Sequence, residues 1–529
     1  MKLSALKVYS PDDRRHRYLA DQVIITAQQA SLKQLLSQVD QGNLRQPSLT
    51  GQPGAATANV PSIAISNKKT LEPASLRLPA DSEFFPAAPG SAFTPVTEKE
   101  LYDAFKRYHS SLEIVSRPFQ ISRQSRPTAE VADEISAVLN KPNAAGVAGF
   151  DVSPDHLVVG SWVQPGLSPW EIPARSSGFD LNQGQQALES QALWGLIGAA
   201  DRKNFPHKGA GVTIVIVDAA PEPERINPEL VDFYISMLAP GDDVEVDPEL
   251  KKVSLKEIYN LGRVHPQPLE RPGLADIEAG KVEKYHGTLI ASLVRQLAPE
   301  ANIMLLEVLN HQGFTTGSNL TEAMDYLLFL RESQITDSQG RRLVEDKFVL
   351  NLSLGISRSL AEEAEAIYLL EACQRSCNAG GMIVAAAGND SFFLHSRNPE
   401  EPAAYGYFCD SLTAFEQVIA VSASTNTLGE AALYTNQGNL AAPGLDLLMD
   451  TGDSQADGGS RFIYWAGTSF AAPMVSSAAA LLLSAGVAPG EVKQRLWENN
   501  TEQPKKWSAV PQLYLKDELL QASASSGAN

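Results

Sequence analysis

One apolar run constrains this chain more than any other feature. Residues 211–218 read GVTIVIVD, an almost uninterrupted β-branched sequence that ends in an acid. A strand this apolar must be covered on both faces, which is typical of a parallel strand inside an α/β domain. In open parallel sheets, functional groups collect at the carboxyl ends of the strands. The run therefore predicts an α/β fold and places Asp218 where a site would form, although an Asp at this position can also simply begin a turn.

A second segment, GTSFAAP at residues 467–473, predicts a serine at the start of a helix. Gly467 allows backbone angles that a side chain would forbid, and the small apolar residues 474–486 continue as a buried helix. Ser469 would then lie where unpaired backbone N–H groups and the helix dipole favour negative charge. The alternative is a serine that only caps a core helix.

Two further polar residues stand at comparable boundaries. His286 opens the small-residue helix HGTLIAS, and Asn389 follows the apolar strand GGMIVAAAG. Taken singly, the first could be a surface or core histidine and the second a turn residue. Coincidence is a poor explanation for four such residues in the order Asp, His, Asn, Ser, each at a strand end or a helix start.

With these motifs the chain resembles the subtilisin-like serine proteases over roughly residues 190–500. The retained His286 and Asn389 argue against the sedolisin relatives, which have Glu and Asp at these positions. The resemblance implies a three-layer α/β fold with a mostly parallel central sheet, preceded here by a mixed α+β N-terminal region. Three more motifs extend it, namely LWGL at 193–196, NLSLG at 351–355 and AAPG at 441–444.

The resemblance also implies a role for each residue. His286 would take the proton of Ser469 as its hydroxyl attacks a peptide carbonyl, and Asp218 would hold the imidazole in the correct tautomer. The Asn389 amide and the Ser469 backbone N–H would form the oxyanion hole. The expected function is a serine endopeptidase that acts through an acyl-enzyme. Asp218 is followed by two alanines where the family commonly has a hydroxyl residue and glycine, so the local turn could differ.

Substrate-binding residues carry over less completely. One edge strand that would pair with an extended peptide is expected near NLSLG, and the opposite one near residues 313–316. The floor of the primary specificity pocket should follow Asn389, but that stretch has no clear counterpart, so side-chain preference is not predicted. The matched positions are Ser353, Leu354 and Gly355 on the edge strand, and Ala386, Ala387 and Gly388 on the pocket wall.

Two other functions remain open. A transpeptidase or macrocyclase on the same fold would form the same acyl-enzyme and let an amine of a dedicated peptide outcompete water, and product mass would separate it from a hydrolase. A catalytically silent protease fold could serve as a binding module. The second is disfavoured because all four chemical positions hold competent residues.

The sequence divides into three parts. Its 529 residues exceed one average domain. Residues 1–189 hold a possible strand at 22–26 and a Pro/Ala/Ser/Thr-rich linker at about 46–96, and they are interpreted as a propeptide-like region or as a regulatory or recruiting domain. Residues 190–515 would form the peptidase domain and residues 516–529 a C-terminal tail.

Charge and composition limit the classes of binding partner that can be expected. A formal net charge of −19 disfavours nucleic acid and an anionic membrane surface, so the expected partner is a protein or peptide substrate, with the oligomeric state unknown. No apolar run of membrane-spanning length and no signal peptide is recognised, which gives a cytoplasmic location as the expectation. The chemistry requires no cofactor. Acids within residues 242–247 make structural calcium possible, but without a complete calcium-loop motif no metal residue is assigned.

Overall fold

The computed structural model describes a subset of the chain. The described residues are 8–9, 18–40, 65–67, 85–86, 98–121, 128–140, 149–160, 174–191, 193–197, 207–238, 275–276, 282–310, 313–355, 367–389, 416–425, 431–432, 434–453, 461–498 and 512–513. The acids of residues 242–247, the stretch that follows Asn389, most of the linker at 46–96 and the tail at 516–529 lie outside them.

The described strands are, in chain order, β1 (Val8–Tyr9), β2 (Tyr18–Gln28), β3 (Ile65–Asn67), β4 (Phe85–Pro86), β5 (Ile114–Ile121), β6 (Asp151–Gly160), β7 (Arg175–Ser176), β8 (Val212–Asp218), β9 (Phe233–Ser236), β10 (Ala275–Asp276), β11 (Asn302–Glu307), β12 (Phe314–Thr316), β13 (Ile335–Thr336), β14 (Lys347–Leu352), β15 (Leu354–Gly355), β16 (Gly381–Ala386), β17 (Val418–Ser424), β18 (Leu440–Pro443), β19 (Leu447–Asp450) and β20 (Phe462–Trp465). The α-helices are α1 (Gln29–Asp40), α2 (Glu98–His109), α3 (Thr128–Leu139), α4 (Leu181–Ser190), α5 (Leu193–Leu196), α6 (His286–Leu297), α7 (Gly317–Glu332), α8 (Ile367–Asn378), α9 (Thr468–Ser484) and α10 (Pro489–Glu498).

A parallel sheet forms the centre of the second half of the chain. Its strands follow the order β18-β17-β16-β14-β8-β11-β9, and each neighbouring pair is parallel. Every residue of β8 is buried, because strands flank it on both sides and its β-branched side chains pack on both faces. The predicted α/β fold with a mostly parallel sheet is confirmed.

Two helix pairs pack with this sheet. The α6 and α9 helices contact each other and several strands, whereas α7 contacts α8, which in turn contacts β16. The α9 helix is buried from Thr468 through Leu483, as its small and apolar side chains permit. In the part of the chain that the structure describes, no helix is long and apolar enough to cross a bilayer.

The N-terminal region forms a different sheet, which is antiparallel. Its strands run in the order β6-β2-β5-β3, and α1 and α3 pack against them. Apart from β1, α2 and the short β4, the chain order is β-α-β-β-α-β, which fits the expected mixed α+β region. This sheet has an apolar core of its own, which includes Val23, Ile25, Leu35, Val115 and Phe119.

The connection between the two sheets already packs with the second half of the chain. β7 pairs with β20 and β10, and α4 packs on β19. At Gly184 of α4, an added Cβ would overlap the ring of Phe462 in β20, so only glycine allows this approach. The boundary at residues 189 and 190 stays a prediction, but residues 174–191 lie against the parallel-sheet region.

Candidate active site

The four candidate catalytic residues lie where strands of the parallel sheet end or where helices begin. Asp218 is the last residue of β8, and Asn389 follows β16. β8 and β16 end at the same level of the sheet. β14 lies between them, and its Leu352 is in register with Val217 of β8 and with Ala385 of β16. His286 is the first residue of α6, and Ser469 is the second residue of α9.

Asp218 and His286 form a fully buried pair. His286 Nδ1 lies 2.9 Å from Asp218 Oδ1 and 3.0 Å from Oδ2, and neither side chain is exposed. Because an ionised carboxylate only accepts hydrogen bonds, Nδ1 carries the proton, and Nε2 becomes the ring nitrogen that can accept one. Burial raises the pKa of the Asp218 carboxyl above its ordinary value, while the charge and hydrogen bond of His286 and the Ala219 N–H act in the opposite direction.

The turn after Asp218 explains the glycine that follows His286. A Cβ at Gly287 would lie 2.5 Å from the Ala219 carbonyl oxygen and 3.2 Å from Asp218 Cβ. Glycine therefore lets α6 begin directly against the end of β8. The backbone N–H of Ala219 donates to Asp218 Oδ1 at 2.7 Å, so the chain stabilises this carboxylate through its backbone, and the departure from the family pattern leaves the pair intact.

Two aromatic rings surround the imidazole. The Phe470 and Trp465 ring centroids lie 5.0 and 5.7 Å from that of His286, the second in an edge-on arrangement. Both rings are buried, so they exclude water and limit the rotation of His286. Because Phe470 follows Ser469, the imidazole lies against the first turn of α9. Sequence reasoning missed both rings, although Phe470 lies within the GTSFAAP motif.

Ser469 and Asn389 border one small space, which Gly467 leaves open. A Cβ at Gly467 would lie 3.4 Å from Ser469 Oγ and 3.6 Å from Asn389 Nδ2. Asn389 Oδ1 accepts hydrogen bonds from the backbone N–H and the hydroxyl of Thr468, both at 3.0 Å. The amide is thereby oriented with Nδ2, its donor group, toward the space that Ser469 Oγ also borders. Thr468 is a second residue that sequence reasoning missed.

A buried hydrogen-bond chain connects the centre of the sheet to the turn that carries Ser469. Ser476 Oγ donates to Asn351 Oδ1 at 3.0 Å, and Asn351 Nδ2 donates to Ser353 Oγ at 2.9 Å. Ser353 Oγ donates in turn to the backbone carbonyl of Ser469 at 2.9 Å. We call Ser476, Asn351 and Ser353 the support chain. Ser353 was assigned to substrate binding, but its hydroxyl points inward. Only the backbone of Ser353 could therefore contact a peptide.

Both predicted substrate strands pair with a strand of the N-terminal region. β6 pairs antiparallel with β12 on one side and with β15 on the other. Val159 is in register with Phe314 of β12 and with Gly355 of β15, and Gly160 is in register with Leu354. A strand is therefore present near residues 313–316, as β12, and its role in binding substrate stays a prediction. The last residues of β6 fill the gap between the two strands, each of which contributes backbone hydrogen bonds.

The residues assigned to the pocket wall lie at the end of β16. Ala386 and Ala387 are buried, and the Ala387 N–H donates to the Val421 carbonyl at 2.9 Å. Gly388 adopts a φ of 99°, in the region that favours glycine. Its N–H donates to Thr468 Oγ1 at 3.1 Å, which ties this wall to the turn that carries Ser469. The expected pocket floor lies outside the described residues.

A parallel sheet with a buried Asp–His pair at one strand end, beside a serine at a helix start, defines the subtilisin-like class. Residues 275–518 match the model of the Subtilase family (Peptidase_S8), so this part of the chain is similar to that family. Asp218 lies before the matched residues and reaches the site through the pairing of β8 with β14.

Two similar proteins are serine proteases by name. The chain is 30% identical over 224 residues to the thermophilic serine proteinase of Bacillus sp. (strain AK1), which covers 40% of this chain and 45% of that protein. It is 28% identical over 264 residues to the serine protease AprX of Bacillus subtilis (strain 168), covering 44% and 57%. The chain thus spans about half the length of these relatives. A solved cold-adapted subtilisin-like serine proteinase aligns over 62% of this chain and 99% of its own, at 21% identity and a TM-score of 0.40.

Proposed function

We propose that this chain is a serine endopeptidase that hydrolyses peptide bonds through an acyl-enzyme. The observation that carries the proposal is the fully buried Asp218–His286 pair, with Nδ1 between 2.9 and 3.0 Å from the carboxylate oxygens, next to the turn that presents Ser469. In a buried imidazole with this partner, the second ring nitrogen can act as a base. Burial of two ionisable side chains carries a desolvation cost, which favours a functional role for the pair.

In the first step, Ser469 Oγ attacks the carbonyl carbon of the peptide bond. The new O–C bond forms as the carbonyl π electrons move onto oxygen, and the hydroxyl proton passes to His286 Nε2. Asp218 stabilises the resulting imidazolium. When the tetrahedral intermediate collapses, the C–N bond breaks and His286 returns the proton to the leaving amine. Water then repeats the sequence on the ester and releases the acid.

The oxygen that gains charge would lie in the space beside Gly467. Asn389 Nδ2 borders this space and is held as a donor by the two hydrogen bonds that Oδ1 accepts from Thr468. The Ser469 N–H, in the first turn of α9, would supply the second donor. Donors that are fixed before the reaction need no reorganisation when charge develops, which is why such sites lower the barrier.

The N-terminal region would restrain this activity. A substrate strand needs the backbone groups of β12 and β15, and these strands are paired with β6. Peptides added in trans must therefore compete with an intramolecular strand at high effective concentration.

A fluorophosphonate probe tests the nucleophile directly, because it phosphonylates only activated serines. We expect the label on Ser469, located by mass spectrometry, and we expect Ser469→Ala to abolish labelling and lower peptide hydrolysis by about 10⁶-fold. Ser484→Ala, near the other end of the same helix, should be labelled like the parent chain. Labelling of another serine, or hydrolysis by the alanine variant at the parent rate, would contradict the proposal.

A further inference from the structure

Three segments of the chain meet at the hydroxyl of Tyr285, a buried residue beside the Asp218–His286 pair. Arg225 Nη1 donates to this hydroxyl at 2.9 Å, and the hydroxyl donates to Asp453 Oδ2 at 2.8 Å. Arg225 Nη1 also lies 3.4 Å from Asp453 Oδ2, so the three side chains close a ring of contacts. We call Arg225, Tyr285 and Asp453 the polar junction.

Each member of the polar junction belongs to a segment that carries one residue of the proposed triad. Its arginine ends the single 3₁₀ turn Pro223–Arg225, which follows β8 and Asp218. Its tyrosine immediately precedes His286. Its aspartate follows β19, and the antiparallel partner of that strand, β20, ends shortly before Ser469. The junction therefore joins, outside the site, the three segments whose relative positions the proposed chemistry requires.

The backbone of Tyr285 is fixed as well as its side chain. The Thr288 hydroxyl donates to the Tyr285 carbonyl at 2.9 Å, and α6 begins at the next residue, His286. Burial raises the pKa of the Tyr285 hydroxyl above its ordinary value, so the hydroxyl keeps the proton that it donates to Asp453. With both ends of Tyr285 held, the chain enters α6 in one direction.

Other contacts would keep the β19–β20 hairpin in place without the Tyr285 hydroxyl. Arg461 of this hairpin donates to both oxygens of Asp450, at 2.7 and 2.8 Å. A Cβ at Gly452 would lie 2.7 Å from Asn227 Cβ and 3.0 Å from Leu230 Cδ1, so the backbone of the hairpin approaches the segment after β8 closely. Loss of the hydroxyl should therefore change the precision of the arrangement and leave the fold intact.

An exposed ion pair also joins the segments before His286 and after Asp218. Lys284 Nζ lies 3.2 Å from both carboxylate oxygens of Glu222, but half of the Glu222 side chain is exposed. Exposed ion pairs contribute little. The Asp453 side chain is only 9% exposed, and buried polar groups with satisfied hydrogen bonds specify one arrangement. We therefore expect the polar junction to set the geometry.

We propose that Tyr285 is a positioning residue for the proposed triad. Its hydroxyl, held between Arg225 and Asp453, keeps the imidazole of His286 aligned with Asp218 and with the turn that carries Ser469. The effect on rate rests on the proposed function, whereas the alignment itself requires no catalysis. A displacement of about 1 Å in an active site can cost about 10²-fold in rate, so a contact that touches no reacting atom can matter.

Tyr285→Phe tests the proposal, because it removes the hydroxyl and keeps the ring. We expect kcat on a peptide substrate to fall about tenfold and KM to stay within about twofold. Asp453→Ala should have a similar effect. The double variant should lose little more than either single variant, because residues that act as one unit are not additive. Losses that multiply to about a hundredfold would overturn the proposal.

Two control variants separate positioning from stability. Tyr234→Phe removes the hydrogen bond of 2.5 Å to Glu307, in β9 at the edge of the parallel sheet, two strands from β8. It should lower the melting temperature about as much as Tyr285→Phe and leave kcat within about twofold. Glu222→Gln removes the exposed ion pair and should also leave kcat within about twofold. A fall in kcat for Tyr234→Phe equal to that for Tyr285→Phe would show that lost stability alone explains the effect.

Nuclear magnetic resonance reads the alignment without catalysis. The proton on His286 Nδ1, hydrogen-bonded to a carboxylate, resonates far downfield of amide protons, and its signal is assigned by its loss in His286→Ala. In folded Tyr285→Phe this signal should shift or broaden, and in Tyr234→Phe it should not. An unchanged signal in folded Tyr285→Phe would overturn the proposal. Absence of hydrolysis in the parent chain would instead contradict the proposed function, and the signal would still decide the role of Tyr285.

Discussion

The two sheets of this protein contribute to the candidate active site in different ways. The parallel sheet contributes side chains at or just beyond its carboxyl edge, with Asp218 at the end of β8 and Asn389 after β16. The antiparallel sheet contributes backbone, because the last residues of β6 pair with the two strands beside the site. Under the proposed function, the parallel sheet would supply reactive groups, and a strand of the antiparallel sheet would occupy the place where a peptide binds.

This difference follows from how the strands are buried. Strands of the parallel sheet are covered on both faces, so a polar side chain within a strand needs a buried partner, as Asn351 has, whereas a polar residue at the strand end can face an open site. A strand of an antiparallel sheet can pass from its own sheet to another one by keeping the same hydrogen-bond pattern, and it needs no special residue to do so. We therefore expect the proposed catalysis to depend on the identity of the side chains, and its proposed restraint to depend on the register of β6.

Among changes that compare the two sheets, the largest effect is expected from Asn389, which follows a strand of the parallel sheet. Asn389→Ala should lower kcat by about 10²–10³ with little change in KM, because the amide would stabilise mainly the charged intermediate. Asn389→Asp is the matched variant, since it keeps an acceptor for Thr468 but removes the donor, and it should lose at least as much activity. Steady-state kinetics on a peptide substrate measure both. Equal losses in kcat and in binding for folded Asn389→Ala would make Asn389 structural.

The same comparison shows which features the sequence could predict. The run before Asp218 and the GTSFAAP turn specify a parallel strand and a helix start through local composition, and both predictions were confirmed. The pairing of β6 with β12 and β15 could not be found in this way, because alternation along a strand does not specify its partners. An apolar segment at residues 156–163 was visible in the sequence, but nothing in it indicated a neighbour about 150 residues away in the chain.

An intermediate effect is expected from the backbone of β6. Val159→Pro removes a backbone N–H in a strand that is paired on both sides, and proline is poorly accepted there. The restraint should weaken, and the initial rate on a peptide added in trans should rise at least about tenfold, as expected for a loss of about 1.4 kcal/mol. Val159→Ala keeps the N–H and should stay within about threefold of the parent.

Intact mass is recorded at each time point of that experiment, so that rates are compared only for uncut chains. If Val159→Ala and Val159→Pro activate equally, the side chain and not the backbone pairing restrains the enzyme. If neither changes the rate, β6 does not compete with substrate, and the two sheets are functionally independent.

Besides the polar residues at strand ends and the backbone of β6, a third group consists of polar side chains that face inward. The sequence did not distinguish these side chains from residues that would contact substrate. Ser353 was assigned to substrate binding from its motif, yet its hydroxyl is fully buried and donates to the Ser469 carbonyl. The motif specifies the residue type but not the direction of the side chain. Only the packing of β14 against α9 shows that Asn351 and Ser476 complete the support chain.

The smallest effect is expected from the support chain, because it would act on Ser469, the proposed nucleophile, only through the backbone carbonyl. Asn351→Leu has a similar volume and removes two buried hydrogen bonds, while Ser476 Oγ keeps its bond to the Ala472 carbonyl. We expect kcat to fall about tenfold with KM nearly unchanged, and the free energy of unfolding to fall by about 1–3 kcal/mol. Ser477→Ala is the control, since that hydroxyl donates to the Pro473 carbonyl of its own helix; it should change kcat less than about threefold. A folded Asn351→Leu variant with parental kcat would show that the turn holds Ser469 without support from the sheet, and the parallel sheet would then act through Asp218 and Asn389 alone.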